Sequence, residues 1–227
     1  MNILVLNGSP KPQSDTMCMT RSFLSGLAEE MPCQITVIDV IRKNIRPCLG
    51  CFRCWQKGDG QCVQQDDQNQ LLSAYMKADV VIWSFPLYCY GMPSHLKAVL
   101  DRTIPLVQLR MKETDGRVQH EALVDFSKKH TVVLCGAGFP DWEGNFEGLR
   151  LQCRNSFGNL TAVFVPETPL FNIPMAQPVT GPLLARFREA GREYAGSLTL
   201  SSETIAALET PMLPKEVYLQ GVNSTAG

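Results

Sequence analysis

Two short runs, Asn2-Ile-Leu-Val-Leu6 and Ala78-Asp-Val-Val-Ile-Trp-Ser84, are apolar almost throughout. A strand with one wet face alternates polar and apolar side chains. A strand covered on both faces does not, and two-sided cover belongs to parallel sheets. Apolar residues at helical spacing follow each run: Met17, Leu24, Leu27, Ala28 and Met31 after the first, then Leu96, Val99, Leu100, Ile104 and Val107 after the second. Gln34-Ile-Thr-Val-Ile-Asp39, Thr131-Val-Val-Leu-Cys135 and Leu160-Thr-Ala-Val-Phe-Val165 supply three more strands. Strand and helix thus alternate five times, which predicts an α/β fold with a doubly wound, five-stranded parallel sheet. In that architecture the loops after the first, third and fourth strands meet at one edge.

The first of these loops, Asn7-Gly-Ser-Pro-Lys-Pro-Gln-Ser-Asp-Thr16, matches neither G-x-x-x-x-G-K-[ST] nor G-x-G-x-x-G. It offers backbone N–H groups, the hydroxyls of Ser9, Ser14 and Thr16, and one cation, Lys11, around a helix N-terminus. Ser14 suits the N-cap, so the loop suits a phosphate dianion. An ordinary capped turn uses the same residue types. The second loop, Phe85-Pro-Leu-Tyr-Cys-Tyr-Gly-Met-Pro93, is aromatic and apolar where a surface connection is normally polar, with Pro93 fitting a first helical position. A flat ring would cover it, and the ends of an open sheet's strands are where ligands sit. Core packing is the alternative for any single residue. The third, Gly136-Ala-Gly138, lets backbone approach a ligand edge, though a plain turn reads the same way.

Nine cysteines is an odd number for a disulfide framework, so thiol or metal chemistry is the better reading. Four are clustered as Cys48-x-x-Cys51-x-x-Cys54, then seven residues, then Cys62, in the loop after the second strand. Ferredoxins use the same opening for a 4Fe-4S cluster; a zinc site and free or partly oxidised thiols are the competing readings. Cys18, Cys33, Cys89, Cys135 and Cys153 sit singly in apolar surroundings and read as packing residues. Asp66-Asp67 reads as the start of a helix that buries Leu71, Leu72, Tyr75 and Met76, with no catalytic role. His95, His120 and His130 lack acidic orienters and read as structural.

A formal net charge of −1 gives no reason to expect a nucleic-acid or anionic-membrane partner. No signal peptide is read, and the longest apolar stretch, Val80 to Met92, is broken by Pro86 and Gly91, so a cytoplasmic protein is expected. The polar residues from Gln108 to Glu121, Asp115 among them, predict an exposed excursion, and Asp141 to Arg154 a helix. Five prolines between Pro166 and Pro182 predict a segment without regular structure. Residues 1–170 are expected to form the domain. Residues 171–227 then form an extension without independent folding. It is expected to hold a helix burying Leu184, Phe187, Tyr194 and Leu198, a second from Ser202 to Leu208, and a loosely held tail to Gly227.

Three stretches together resemble one family. They are Asn-Gly-Ser-Pro-Lys with Ser-Asp-Thr, the cysteine cluster followed by Asp66-Asp67, and Pro-Leu-Tyr-x-Tyr-Gly-Met-Pro-x-x-Leu-Lys-Ala-x-Leu-Asp-Arg102. The set is similar to the NADPH-dependent FMN reductase family, more narrowly its iron–sulfur flavoprotein branch, over residues 1 to about 165. The resemblance implies a flavodoxin-like fold with strand order 2-1-3-4-5, bound FMN, and a homodimer or homotetramer. It puts Ser9, Lys11, Ser14, Thr16 and Met17 on the phosphate and ribityl side. Pro86, Leu87, Tyr88, Tyr90, Gly91 and Met92 would hold the ring, with Gly136 and Gly138 at its other edge, and Cys48, Cys51, Cys54 and Cys62 would ligate any cluster. Asp15 stands where relatives usually carry Asn, and a carboxylate there is expected to weaken FMN binding. The implied activity is NAD(P)H-dependent reduction of a flavin, quinone or similar small acceptor. The alternative is an electron relay between a cluster and FMN that serves a redox protein. Flavin chemistry requires no acid–base pair from the protein, so none is assigned.

Overall fold

The computed structural model describes residues 1–114 and 116–224; Asp115 and residues 225–227 lie outside the described residues. Five parallel strands form the central sheet: β1 (Asn2–Asn7), β2 (Gln34–Asp39), β3 (Val80–Pro86), β6 (His130–Gly136) and β7 (Leu160–Val165). Their order, β2-β1-β3-β6-β7, is the flavodoxin-like 2-1-3-4-5. Asn7 pairs with Ser84, and Pro86 with Gly136, so the first, third and fourth parallel strands end near one line and their loops share a rim.

Side chains alternate between two cores because the strand repeat is two residues. Leu4, Leu6, Val81, Trp83, Phe85, Val133, Cys135 and Phe164 face one way, against α3 (Gln68–Lys77), α4 (Ser94–Asp101) and α5 (Glu147–Ser156). Ile3, Val5, Val80, Ile82, Val132, Leu134, Val163 and Val165 face the other, against α1 (Asp15–Glu30) and α6 (Gln177–Ser197). The crossing of α1 and α6 is made by glycines. A Cβ on Gly26 would lie 1.8 Å from the Arg188 carbonyl oxygen, and one on Gly191 would lie 1.9 Å from that of Phe23. Only hydrogen fits at either place.

Several expectations are corrected. The proline-rich segment is ordered: Thr168–Asn172 and Pro174–Ala176 are 3-10 turns, and α6 begins at Gln177. Pro178 falls in the first turn of α6, where a missing N–H costs no helical bond. Leu183 rather than Leu184 is fully buried on that helix. The excursion from Gln108 is a hairpin, β4 (Val107–Thr114) and β5 (Arg117–Ala122), whose exposed residues pair with each other rather than with the main sheet. It therefore takes Val107, and the 3-10 turn at Ile104–Leu106 takes Ile104, away from α4. The helix expected from Asp141 starts only at Glu147. The tail is held as far as Ser224, and the expected loose end beyond it lies outside the described residues: α7 (Ser202–Glu209) is followed by α8 (Lys215–Ser224), and the buried Tyr218 hydroxyl donates to the Gly138 carbonyl at 2.7 Å. Glu167, fully buried, accepts the backbone N–H groups of Met212 (2.6 Å) and Leu213 (3.0 Å). Among the single cysteines, Cys135 and Cys153 pack in the core, Cys18 and Cys33 are half-buried, and Cys89 is exposed. Among the described residues, no helix is long and apolar enough to cross a membrane.

Candidate functional site

The phosphate-loop candidate is fixed by its neighbours in the fold. The Gly8 N–H donates to the Ser84 carbonyl (2.8 Å), and the Ser9 N–H to Asn7 Oδ1 (3.1 Å), while Asn7 Nδ2 reaches across β1 and β2 to Asp39 (2.9 Å). Gly8 has no room for a side chain, since a Cβ would sit 2.7 Å from Leu96. His95 Nε2 meets the Gly8 carbonyl at 2.8 Å and pins α4 to the loop. Ser14 is the N-cap: its Oγ accepts the Met17 N–H (3.2 Å) and lies 3.0 Å from Thr16 Oγ1.

The aromatic loop closes as a tight turn in which Tyr88 and Gly91 exchange two backbone bonds of 3.0 Å. Cys89 (φ 47°) and Tyr90 (φ 61°) sit in the left-handed region between them. Mirror-image turns of this kind normally carry glycine or asparagine, and each such residue costs of order 1–3 kcal/mol. Tyr90 then stands parallel to Phe139, ring centroids 6.4 Å apart. The Leu87 N–H donates to the Gly136 carbonyl (2.7 Å), locking the second loop to the third.

Between these loops lies a cavity open to solvent. Ser9, Lys11 and Thr16 line its polar end, Pro86, Leu87 and Tyr88 one apolar wall, and Gly136 and Gly138 the facing edge. Of the remaining expected residues, Ser14 is the buried cap, Met17 and Met92 belong to the two cores, and Tyr90 and Gly91 lie on the turn outside the lining. Thr168 and Pro169 also line the cavity, without any sequence signal that pointed to them. Asp15 lines it too, and its carboxylate accepts from Lys11 Nζ (3.2 Å) and from Asn172 Nδ2. The one cation of the loop is thus partly engaged by the one anion.

A second, much smaller cavity is lined by Cys48, Cys51, Cys54 and Cys62. The chain reaches it through left-handed residues at Gly50 and Phe52 and through the five-residue α2 (Arg53–Lys57). Burial pushes the Cys54 thiol up. Asn69 holds Cys62 by both backbone groups, at 2.8 and 3.0 Å, and Trp55 Nε1 donates to the Ile104 carbonyl (3.2 Å). Among the described residues, no three His, Cys, Asp or Glu side chains stand close enough to hold a metal ion. The thiols share a cavity but are not drawn to a point.

Arg102 lines the same cavity and forms the most buried ion pair of the described residues, side chains 1% and 0% exposed, with Asp66. The fork is bidentate, 2.5 and 2.9 Å. Burial alone would raise the Asp66 carboxyl, but hydrogen bonds from Arg102 and from the Arg46 and Gln68 N–H groups hold it below the usual range. Asp66 therefore does more than open α3. The Arg102 Nε, despite its burial, has no acceptor in bonding geometry among the described residues. A charged residue closing an otherwise apolar helix face was the signal available in the sequence.

Comparison with known proteins agrees with this geometry. An iron–sulfur flavoprotein of Methanocaldococcus jannaschii is 35% identical over 115 residues, 49% of this chain and 58% of that protein. An FMN-dependent NADH:quinone oxidoreductase of Pseudomonas fluorescens is 28% identical over 110 residues, 45% of this chain and 55% of its own length. The chain thus spans little more than half of either relative. The solved NAD(P)H:quinone oxidoreductase of Methanothermobacter marburgensis superposes with a TM-score of 0.62 at 21% identity, covering 85% of this chain and 95% of that one, and shares the fold. The family model described as a flavodoxin-like fold, Flavodoxin_2, matches residues 1–158, and with the strand order observed this chain belongs to that family.

Proposed function

We propose that the protein is an FMN-dependent oxidoreductase that takes electrons from NAD(P)H and passes them to a flavin, quinone or similar small acceptor. The observation that carries the reading is the cavity at the strand ends, with hydroxyls and a lysine at one end and an apolar wall at the other. The chain's likeness to an iron–sulfur flavoprotein and to an FMN-dependent NADH:quinone oxidoreductase supports it. In this reading Ser9, Lys11 and Thr16 hold the phosphate, with Ser14 and Met17 fixing the helix terminus behind them. Pro86, Leu87 and Tyr88 flank the ring, the turn at Tyr90-Gly91 and the buried Met92 brace that wall, and Gly136 and Gly138 leave room at the far edge. When bound, the flavin supplies the two-electron chemistry; the protein binds, orients and excludes water.

A second reading is favoured by four cysteines around one cavity: a 4Fe-4S cluster that relays electrons between FMN and a redox protein. The donor set fits, since four soft thiols surround one space beside an unpartnered buried N–H. The reading includes a reducing, cytoplasmic setting, supported by the odd number of cysteines. It also includes a homodimer or homotetramer in which residues 171–227 shape the neighbouring subunit's flavin pocket. Ile173 (48% exposed) and Met175 (91% exposed), next to the cavity wall at Thr168–Pro169, support that. Converting both to Asp should shift the oligomer to a smaller species in light scattering.

The deciding experiment is an anaerobic spectrum with metal analysis. A flavin band bleached by NADH or NADPH supports the reductase. Iron and sulfide in stoichiometric amounts, with reduction by a low-potential donor only, support the relay, whereas zinc or no metal removes it. A colourless protein that takes up no FMN overturns both.

A further inference from the structure

Arg102 is buried more deeply than a guanidinium's chemistry favours, and its donors are incompletely used. Nη1 donates to Asp66 Oδ2 (2.5 Å) and to the Arg46 carbonyl (3.0 Å), and Nη2 donates to Asp66 Oδ1 (2.9 Å). Nε, equally buried, has no acceptor in bonding geometry among the described residues, though the guanidinium stands beside the Cys62 thiol. A buried donor left unmade is destabilising, the more so on a charged group, so an orphan of this kind calls for an acceptor. Arg102 lines the cysteine cavity together with Cys62, and Cys62 is also the thiol whose backbone is clamped at both ends by Asn69. Asp66 cancels the arginine's charge, so what the pair presents to the thiols is a directional N–H rather than a bare cation.

We propose that Arg102 is a positioning residue of the cysteine centre: its Nε–H donates to the Cys62 sulfur when the four thiolates hold a cluster, fixing that ligand and setting the centre's potential. The inference rests on the iron–sulfur reading above. Hydrogen bonds to the sulfurs and local charge are the protein's main levers on such potentials, and losing an outer partner of a metal ligand typically weakens metal retention about 10–100-fold.

The test uses the full chain, reconstituted anaerobically with iron and sulfide. Arg102→Met combined with Asp66→Asn replaces the ion pair by neutral groups, so it avoids an uncompensated buried charge. It should fold with unchanged flavin content, release iron to a chelator about 10–100-fold faster, and show a lower cluster potential. Asp66→Asn alone, with Arg102 unbalanced, should shift the potential upward. Equal iron retention and equal potentials in wild type and both variants would make the pair merely structural and overturn the inference. A wild type that acquires no iron or sulfide overturns the cluster reading itself, and this inference with it.

Discussion

The two cavities are built on opposite plans. At the rim, each wall is tied to the sheet: Gly8 to Ser84, Leu87 to Gly136, Thr168 to Ala137, all by backbone bonds of 2.7–2.9 Å. The space between them exists because the strands end where they do. The cysteine loop leaves the edge strand β2 and runs to α3 with only a 3-10 turn and the short α2 between. Its deepest anchor is an ion pair rather than an apolar cluster. A site framed by strand ends takes its shape from the sheet. One framed by a loop and a salt bridge takes it from a few side-chain contacts.

The largest effect expected falls on the second plan. Arg102→Met alone strands the Asp66 carboxylate and should lower stability by about 3–5 kcal/mol in urea unfolding at neutral pH. The folded Asp66 pKa is depressed, so its contribution is complete above the unfolded carboxylate value, about 4, and disappears as pH falls through the folded one. The gap between wild type and variant should therefore narrow in acid. A penalty that stays constant with pH would break the assignment. On the first plan, Gly191→Ala forces α6 off α1 and should cost about 1–3 kcal/mol, read as a lower Tm together with weaker FMN uptake. A full-strength flavin site in that variant would show that the rim does not depend on the helix crossing. Smaller still, Asp15→Asn frees Lys11 for a phosphate while Asn172 keeps an acceptor. FMN should bind tighter by about 1 kcal/mol, roughly fivefold in a fluorescence titration. Smallest is Cys51→Ser, which should remove metal yet leave FMN affinity within about twofold. Loss of flavin there would mean the two cavities are one system.

The rim was legible because buried strands and their loops follow local rules. Leu4 and Val81 are apolar on both neighbours' faces, and a parallel sheet then fixes where Ser9, Tyr88 and Gly136 meet. Residues placed by contacts far along the chain were not legible. Thr168 lines the cavity because its backbone bonds Ala137, and α8 is held through Tyr218 and Gly138, 80 residues apart. The prolines near 178 point away from regular structure by composition, although a helix tolerates proline in its first turn. The hairpin at 107–122 lacks apolar alternation because neither of its faces is buried. Arg102 carried a sign, a cation at the end of an apolar helix face, but no sequence rule named Asp66 as its partner.

The glycine-on-glycine crossing of α1 and α6 has a consequence for biosynthesis. The helix made first is covered by one made about 160 residues later. At ordinary translation rates that leaves the α6-facing side of α1, with Phe23 on it, without this cover for roughly 10–30 s on the ribosome. Nascent chains should be caught by holdase chaperones until the last quarter emerges, and messages truncated before α6 should yield insoluble product.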